Sequence, residues 1–330
     1  MAEKIISIKD LRVHYEYRER CVKAVNGISF DIDKGSVTGL VGETGAGKTT
    51  TARSIMRLLP KNVGRIVEGS IEFGGENLAR LNEKAMRSIR GARISMIFQD
   101  PMTSLNPVET VGDQISEVIR LHSKINAKDI NAKTCEMLRL VGIPAERYAE
   151  YPHQFSGGMK QRIVIAMALA CNPELIIADE PTTALDVTIQ AQVLELMRDL
   201  QRKSGTSVLL ITHDMGVVAQ MCDHVAVMYA GEIVEYGSLR QIMKETSHPY
   251  TVGLFGSLPN LNEDVERLAT IDGAMPDPSN LPSGCSFAPR CKHACDKCFR
   301  EDPPVHELAP GHRVKCHRAA ADFEKGDGET

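Results

Sequence analysis

Apolar positions in the first three quarters of the chain alternate between a strand period of two and a helical period of 3.6. Residues 5–15 and 22–32 alternate apolar with polar side chains and are rich in β-branched residues, which predicts two strands. Residues 48–59 and 108–142 carry helical spacing. Shorter apolar runs predict further strands at 36–42, 70–75 and 93–99. The apolar runs at 174–179, 207–212 and 224–229, bounded by polar residues, suit a parallel sheet covered on both faces. This pattern predicts the α/β fold class.

The texture of the sequence changes near Pro249, where Pro, Gly, Asn and Ser become frequent and the periodicity fades. We therefore predict two domains, at residues 1–255 and 256–330. The second is expected to be a small, irregular C-terminal extension.

Composition narrows the function classes. The formal net charge of -4 and the 25% of charged residues give no reason to expect a nucleic-acid partner. The sequence contains no run of about 18 apolar residues, the length that a helix needs to span a bilayer. The N-terminal residues lack the apolar segment of a signal peptide. We expect a cytoplasmic location. Disulfides are rare there, so the five cysteines near the C-terminus are better interpreted as metal ligands or reactive thiols.

The stretch "GETGAGKTT" fits the phosphate-loop pattern G-x-x-x-x-G-K-[ST] between a predicted strand and a predicted helix. Its glycines let backbone N–H groups face one anion, Lys48 reaches the outer phosphates, and the hydroxyl of Thr49 ligates Mg²⁺. The sequence thus predicts a binding site for ATP and Mg²⁺. Its residues are Gly42, Glu43, Thr44, Gly45, Ala46, Gly47, Lys48, Thr49 and Thr50.

Polar side chains end three predicted strands. Asp179 and Glu180 end "LIIADE". In this position Asp179 can hold Mg²⁺ through water, and Glu180 can polarise the attacking water as general base. His213 follows the next strand, from which it would reach a γ-phosphate. Gln99 ends "SMIFQ" and is a candidate Mg²⁺ or water ligand. The predicted catalytic residues are Lys48, Gln99, Glu180 and His213.

These motifs, in this order, resemble the ATP-binding subunit of an ABC transporter. The resemblance implies a P-loop NTPase (RecA-like) core with an antiparallel β subdomain and a helical subdomain at about 100–160. It also implies a head-to-tail dimer, in which the signature "FSGGM" acts on the partner's ATP. The implied residues are Ser156, Gly157 and Gly158 of the signature, Asp186 of the D-loop, and Tyr15 under the adenine, with Tyr17 as the alternative. Met159 departs from the glutamine usual in the signature.

Residues 99–107 and 248–259 resemble the dipeptide and oligopeptide permease branch, which nickel and glutathione importers share. The resemblance implies a motor at the cytoplasmic face of the membrane, paired with a paralogous ATPase or a second copy. Its further partners would be two transmembrane permease subunits and, indirectly, an extracellular solute-binding protein. A soluble, non-transport ABC ATPase is the alternative.

The cysteine spacing by itself leaves the metal open. Cys295 and Cys298 form a C-x2-C pair typical of zinc. The C-terminal extension of the resembled branch carries a [4Fe–4S] cluster, for which four thiolates are chemically suitable. That resemblance implies the ligands Cys285, Cys291, Cys298 and Cys316, with Zn²⁺ as the alternative ion. His293, His312 and His317 are candidates for a mixed site.

Overall fold

A computed structural model describes residues 3–18, 20–123, 125–183, 185–256 and 271–318, apart from the side chains of residues 101, 102 and 127. All predicted site residues lie within these ranges. The strands are β1 Lys4–Tyr17, β2 Arg20–Asp33, β3 Val37–Val41, β4 Gly64–Phe73, β5 Glu76–Asn77, β6 Ile94–Ile97, β7 Leu175–Asp179, β8 Ser207–Thr212, β9 His224–Tyr229, β10 Glu232–Ser238, β11 Val305–Ala309 and β12 His312–Lys315. The helices are α1 Lys48–Ile55, α2 Glu83–Ile89, α3 Pro101–Ser104, α4 Val111–His122, α5 Ala127–Leu140, α6 Gly157–Leu169, α7 Val187–Ser204, α8 Met215–Met221, α9 Leu239–Lys244, α10 Pro249–Gly256 and α11 Asp296–Arg300.

The chain folds as two units, of which the first consists mainly of Arg80–Ile211. Strands β6, β7 and β8 of this unit pair in parallel in that order. All residues of β7 and β8 are buried, as expected for parallel strands covered on both faces. Helices α4, α5 and α6 pack against one another. The side chain of Thr110 caps α4 by accepting a hydrogen bond from the Asp113 N–H, 3.2 Å away.

The second unit contains Ile6–Asp31, Thr38–Ala79 and the chain from Thr212 onward. Strands β2, β1, β4 and β5 form one sheet in that order, and β4 is antiparallel to both β1 and β5. In the other sheet of this unit, β3 pairs in parallel with β9. Strands β10, β12 and β11 then continue that sheet by antiparallel pairing.

The α/β class and the predicted strands agree with this architecture, and two predicted helices differ in extent. Helix α1 ends at Ile55 rather than Leu59, because Arg57 adopts a left-handed backbone conformation (φ 50°) before Pro60. The helical pattern over 108–142 is divided into α4 and α5. The break comes at Ser123, whose backbone is extended, and Asn126 then caps α5.

The C-terminal extension is more regular than its composition predicted. Residues 305–315 form the hairpin β11–β12, and β12 pairs with β10. The alternation in this segment is only four or five residues long, too short to recognise beside the prolines that precede it. The division into domains at residues 1–255 and 256–330 stays a prediction. Among the described residues, no helix is long and apolar enough to cross a membrane.

Candidate functional site

The phosphate loop follows β3 and ends where α1 begins, at Lys48. Gly42, Gly45 and Gly47 have φ angles of 150°, 86° and 106°, which side chains rarely tolerate. A β-carbon at position 47 would lie 2.4 Å from the carbonyl oxygen of Ala24, so only glycine fits there. The Lys48 Nζ donates to the carbonyl oxygens of Gly42 and Glu43, at 2.7 and 2.9 Å. The loop is therefore closed around the lysine that was predicted to bind phosphate.

The rest of the predicted nucleotide set lies on the loop and the first turn of α1. Thr44 is exposed, Ala46 is fully buried, and Thr49 and Thr50 are half-buried. The Tyr15 hydroxyl lies 3.2 Å from the Thr50 Oγ1, which brings the predicted aromatic residue next to this turn. The alternative, Tyr17, is 54% exposed and lies farther along β1.

The predicted carboxylates lie in the first unit. Asp179 ends β7 and is buried. Glu180 follows it in a left-handed conformation (φ 48°), a strained backbone that for a non-glycine residue often marks a functional site. The Glu180 Oε2 accepts hydrogen bonds from the Gln99 Nε2 at 2.8 Å and the Thr183 Oγ1 at 3.0 Å. The structure thus brings Gln99 and Glu180 together at the ends of adjacent parallel strands.

The signature residues lie at the start of α6. The Ser156 side chain caps this helix by accepting from the Met159 N–H, 3.4 Å away. Ser156 and Gly157 are exposed, so the positive end of a 13-residue helix is open to an anion. A β-carbon at Gly158 would lie 2.4 Å from the Ile189 Cγ2, which shows that this glycine permits close packing on α7.

Two further predicted residues lie at helix starts. Asp186 caps α7 by accepting from the Ile189 N–H at 3.0 Å. His213 is exposed in the turn between β8 and α8. Arg147, which sequence reasoning missed, donates to the Met159 sulfur at 3.5 Å and lies 4.0 Å from the centre of the Phe155 ring. It thereby supports the signature at its unusual methionine.

The C-terminal extension contains a small cavity lined by four of its cysteines. The lining residues include Cys285, Cys291, Cys298 and Cys316, together with His293 and His317. Cys295 is exposed and does not line the cavity, although its Sγ lies 3.5 Å from that of Cys298. His312 is buried elsewhere, where its Nε2 lies 2.9 Å from the Glu235 Oε1.

The four lining thiols influence one another. Burial raises the pKa of the Cys285 thiol to about 11, and the nearby thiols of Cys298 and Cys316 add to the rise. Burial likewise raises the pKa of Cys291 and of Cys316, each of which also lies near Cys298. Within the described ranges, however, no group of three or more His, Cys, Asp or Glu side chains could hold a metal ion.

Two residues that the sequence did not single out contact the phosphate loop, one from the extension and one from α10. Arg290, between Cys285 and Cys291, donates through Nη1 to the two carboxylate oxygens of Glu43 at 3.1 and 3.0 Å. The Tyr250 hydroxyl accepts from the Glu43 N–H at 2.9 Å. Tyr250 belongs to residues 248–259, which were singled out only for their resemblance, and Arg290 lies between two cysteines of the extension. Neither stretch has a periodicity that would reveal such a contact.

Two family models match the chain. The model described as ABC transporter matches residues 25–183, and the one described as oligopeptide/dipeptide transporter, C-terminal region, matches residues 234–298. The first match contains the phosphate loop, the signature and the Asp–Glu strand. The second covers Tyr250, Arg290 and three of the four cavity cysteines.

Curated relatives are similar over nearly their whole length. The chain is 52% identical over 316 residues to the dipeptide transport ATP-binding protein DppD of Bacillus subtilis (strain 168), covering 95% of this chain and 94% of that protein. It is 50% identical over 315 residues to the oligopeptide transport ATP-binding protein OppD of the same organism, covering 94% and 88%.

The fold also matches solved structures. One is the dimeric structure of a post-hydrolysis state of the ATP-binding cassette MJ0796 bound to ADP and Pi, with a TM-score of 0.64 and 25% identity. The match covers 71% of this chain and 99% of the cassette. The predicted P-loop ATPase fold is thereby confirmed.

Proposed function

Because the chain belongs to the ATP-binding subunits of ABC transporters, in the dipeptide and oligopeptide branch, we propose that it is the ATP-hydrolysing motor of a peptide importer. The observation that carries this proposal is the phosphate loop, whose left-handed glycines and enclosed Lys48 form an anion site at the start of α1. The relatives named above transport dipeptides and oligopeptides, and their similarity extends through the C-terminal region.

We assign the chemical roles as follows. Lys48 and the loop N–H groups bind the phosphates of ATP, and Tyr15 supports the adenine. Thr49, Gln99 and Asp179 hold the Mg²⁺, which supplies positive charge to the phosphoryl group. Glu180 accepts a proton from the attacking water, a role that suits a carboxylate held by Gln99 and Thr183. His213 contacts the γ-phosphate.

The motor works as a head-to-tail pair with a paralogous ATPase or a second copy. Ser156, Gly157 and Gly158 then act on the partner's nucleotide, and Asp186 lies at the same interface. The exposed start of α6 supports this assignment, since a helix N-terminus open to solvent is suited to an anion from outside the chain. The solved cassette that resembles this chain is likewise a dimer.

The remaining partners are two transmembrane permease subunits at the cytoplasmic face of the membrane and, indirectly, an extracellular solute-binding protein. Val108 and Leu121 support a docking role for the helical region around α4, because their side chains are 77% and 70% exposed. ATP binding would close the motor dimer and rearrange the permease, and hydrolysis would reset it.

The extension holds a [4Fe–4S] cluster through Cys285, Cys291, Cys298 and Cys316, and such a cluster supplies covalent cross-links and one-electron chemistry when bound. The four thiols that line one cavity supply the number and type of donors that a cluster needs, although the described residues do not bring three of them together as a metal-binding group. A single tetrahedral zinc ion would need sulfur atoms about 3.8 Å apart. The Sγ atoms of Cys295 and Cys298 lie 3.5 Å apart, near this spacing, but Cys295 lies outside the cavity.

Replacement of the proposed general base tests the motor function. The Glu180→Gln variant should bind ATP normally and lose hydrolysis by about a thousandfold, because the amide does not accept the proton from water. Glu174→Gln, at the opposite end of β7 in a surface ion pair with Arg93, is the matched control and should keep the native rate. An undiminished rate in Glu180→Gln would refute the role. Co-purification with membrane subunits tests the transport assignment separately.

A further inference from the structure

Arg290 makes an ion pair with the phosphate loop from within the C-terminal extension. Its Nη1 donates to both carboxylate oxygens of Glu43, and its side chain is only 6% exposed, against 30% for Glu43. Removing a guanidinium from water is costly unless its donors are satisfied and a carboxylate offsets the charge. The burial of Arg290 therefore depends on its pairing with Glu43, whereas the exposed ion pairs on the same unit have no such requirement.

The other donors of Arg290 are fixed by the extension itself. Its Nε donates to the carbonyl oxygen of Asp272 at 2.9 Å and its Nη2 to that of Ile271 at 3.1 Å. Its guanidinium also lies 5.7 Å from the centre of the Tyr229 ring. Since the guanidinium is planar and rigid, these bonds leave it one orientation in which to meet Glu43.

The backbone that carries Arg290 is a single 3-10 turn at Ala288–Arg290, between two cysteines that line the cavity. The Ala288 N–H donates to the Cys285 carbonyl at 3.0 Å, and the Cys291 N–H donates to the Ala288 carbonyl at 3.2 Å. The position of Arg290 thus follows from the same short segment that positions Cys285 and Cys291.

Glu43 transmits this constraint to the phosphate site. Its carbonyl oxygen accepts from the Lys48 Nζ at 2.9 Å and from the Ala46 N–H at 3.1 Å, while its own N–H donates to the Tyr250 hydroxyl. Both ends of the Glu43 peptide and its side chain are therefore held at once. Fixing this residue fixes the start of the loop whose N–H groups face the phosphates.

A cluster of three aromatic rings packs beside the contact between Arg290 and Glu43. The rings of Tyr229 and Tyr250 lie 4.7 Å apart, and Phe287 meets them at 5.2 and 5.5 Å. Phe287 precedes the turn that carries Arg290. The cluster packs that turn against Tyr229 of β9 and Tyr250 of α10, and this packing holds the turn that carries Arg290 in place beside the loop.

We propose that Arg290 is a positioning residue of the nucleotide site, acting through Glu43 to hold the phosphate loop in its anion-binding shape. This rests on the proposed function, because it takes the loop to bind ATP. Pre-organisation of a binding loop improves affinity by reducing the ordering that the ligand must impose. The segment between the first two cysteines is accordingly part of the phosphate-binding structure, and nucleotide and extension stabilise each other reciprocally.

Nucleotide affinity of the full chain tests this assignment. Titration calorimetry with Mg·ADP and Mg·ATP should show about tenfold weaker binding in Arg290→Gln, because the loop loses a buried charged anchor. The KM for ATP should rise similarly while kcat stays within about twofold, since a positioning residue for binding leaves the chemical step intact. Arg290→Lys should recover part of the affinity.

Arg20→Gln is the matched control. Arg20 also forms an arginine–carboxylate pair between a strand of the body and the extension, with Asp277, but both side chains are more than half exposed and neither contacts the loop. Its removal should leave nucleotide affinity unchanged. A similar loss in Arg20→Gln would mean that any loosening of the extension weakens binding, and it would overturn the specific role of Arg290.

A double-mutant cycle with Glu43→Ala completes the test. If Arg290 acts through Glu43, the double variant should bind no more weakly than Glu43→Ala alone, whereas independent effects that add would overturn the proposal. Should Arg290→Gln fail to fold, Glu43→Ala decides by itself, and native affinity in that variant refutes the link. Absence of nucleotide binding in the native chain would instead refute the proposed function.

Discussion

The phosphate loop, which contains Glu43, and the cysteine-lined cavity, whose Cys285 and Cys291 flank Arg290 in the sequence, are linked by the Glu43–Arg290 ion pair, but the chain builds them differently. The loop takes its ligand groups from the backbone of nine consecutive residues, and its glycines are required by contacts such as that of Gly47 with Ala24. The cavity takes four side chains from an irregular stretch and from the end of β12, where Cys316 follows Lys315.

The difference shows what each site demands of the chain. A backbone site fails when the shape of the chain changes, because every N–H group belongs to the same turn. A side-chain site fails when one ligand is lost, while its backbone can vary. The raised pKa of the cavity thiols adds a second contrast, since assembly of the proposed cluster there would release protons, whereas phosphate binding at the loop needs no such release.

The largest effect is expected from the loss of one cavity ligand. Cys298→Ser should remove nearly all iron from anaerobically purified protein, because the proposed cluster would then lack one of its four thiolates. Cys295→Ser, three residues away and outside the cavity, should keep the metal. Zinc in place of iron, lost from both variants, would restore the zinc interpretation of the C-x2-C pair.

A change in loop shape should have the next largest effect. Gly47→Ala should weaken Mg·ADP binding by about 100-fold, because the new methyl group meets the Ala24 carbonyl at 2.4 Å and the φ of 106° is strained. Gly75→Ala is the control: φ is 83° there, but no atom lies within 4 Å of the added carbon. Equal losses of nucleotide affinity in the two variants would attribute the effect to strain alone.

The smallest effect concerns His248, which precedes α10 and lines the cysteine-lined cavity. Burial lowers the pKa of His248 to about 4, Glu235 partly opposes this, and Lys315 adds to it. The unfolded chain therefore binds more protons than the folded chain between pH 6.5 and 4. The free energy of unfolding accordingly decreases as the pH is lowered, by about 2 kcal/mol from pH 7 to 5. Urea unfolding of His248→Asn should lose this dependence, whereas His306→Asn on β11 should retain it. An unchanged slope in His248→Asn would contradict the assignment.

The sequence predicted the fold and the site well where the residues of a site are close together in the chain and where an element is long enough to show its hydrophobic period. The nine residues of the phosphate loop are contiguous, and Gln99 and Glu180 follow apolar runs that pair as adjacent strands. Arg290 and Tyr250 escaped prediction because their partner, Glu43, lies more than 200 residues away, and no spacing rule connects such positions. The hairpin β11–β12 escaped because its few residues carry too short a pattern.

The pairing of β12 with β10 also bears on solubility. Without the hairpin, β10 would present a row of unpaired backbone groups along one side, and such edges promote sheet-to-sheet association between molecules. The hairpin moves that edge outward to β11, which is five residues long. The hairpin β11–β12 thus protects the folded body of the protein against aggregation through the edge of β10.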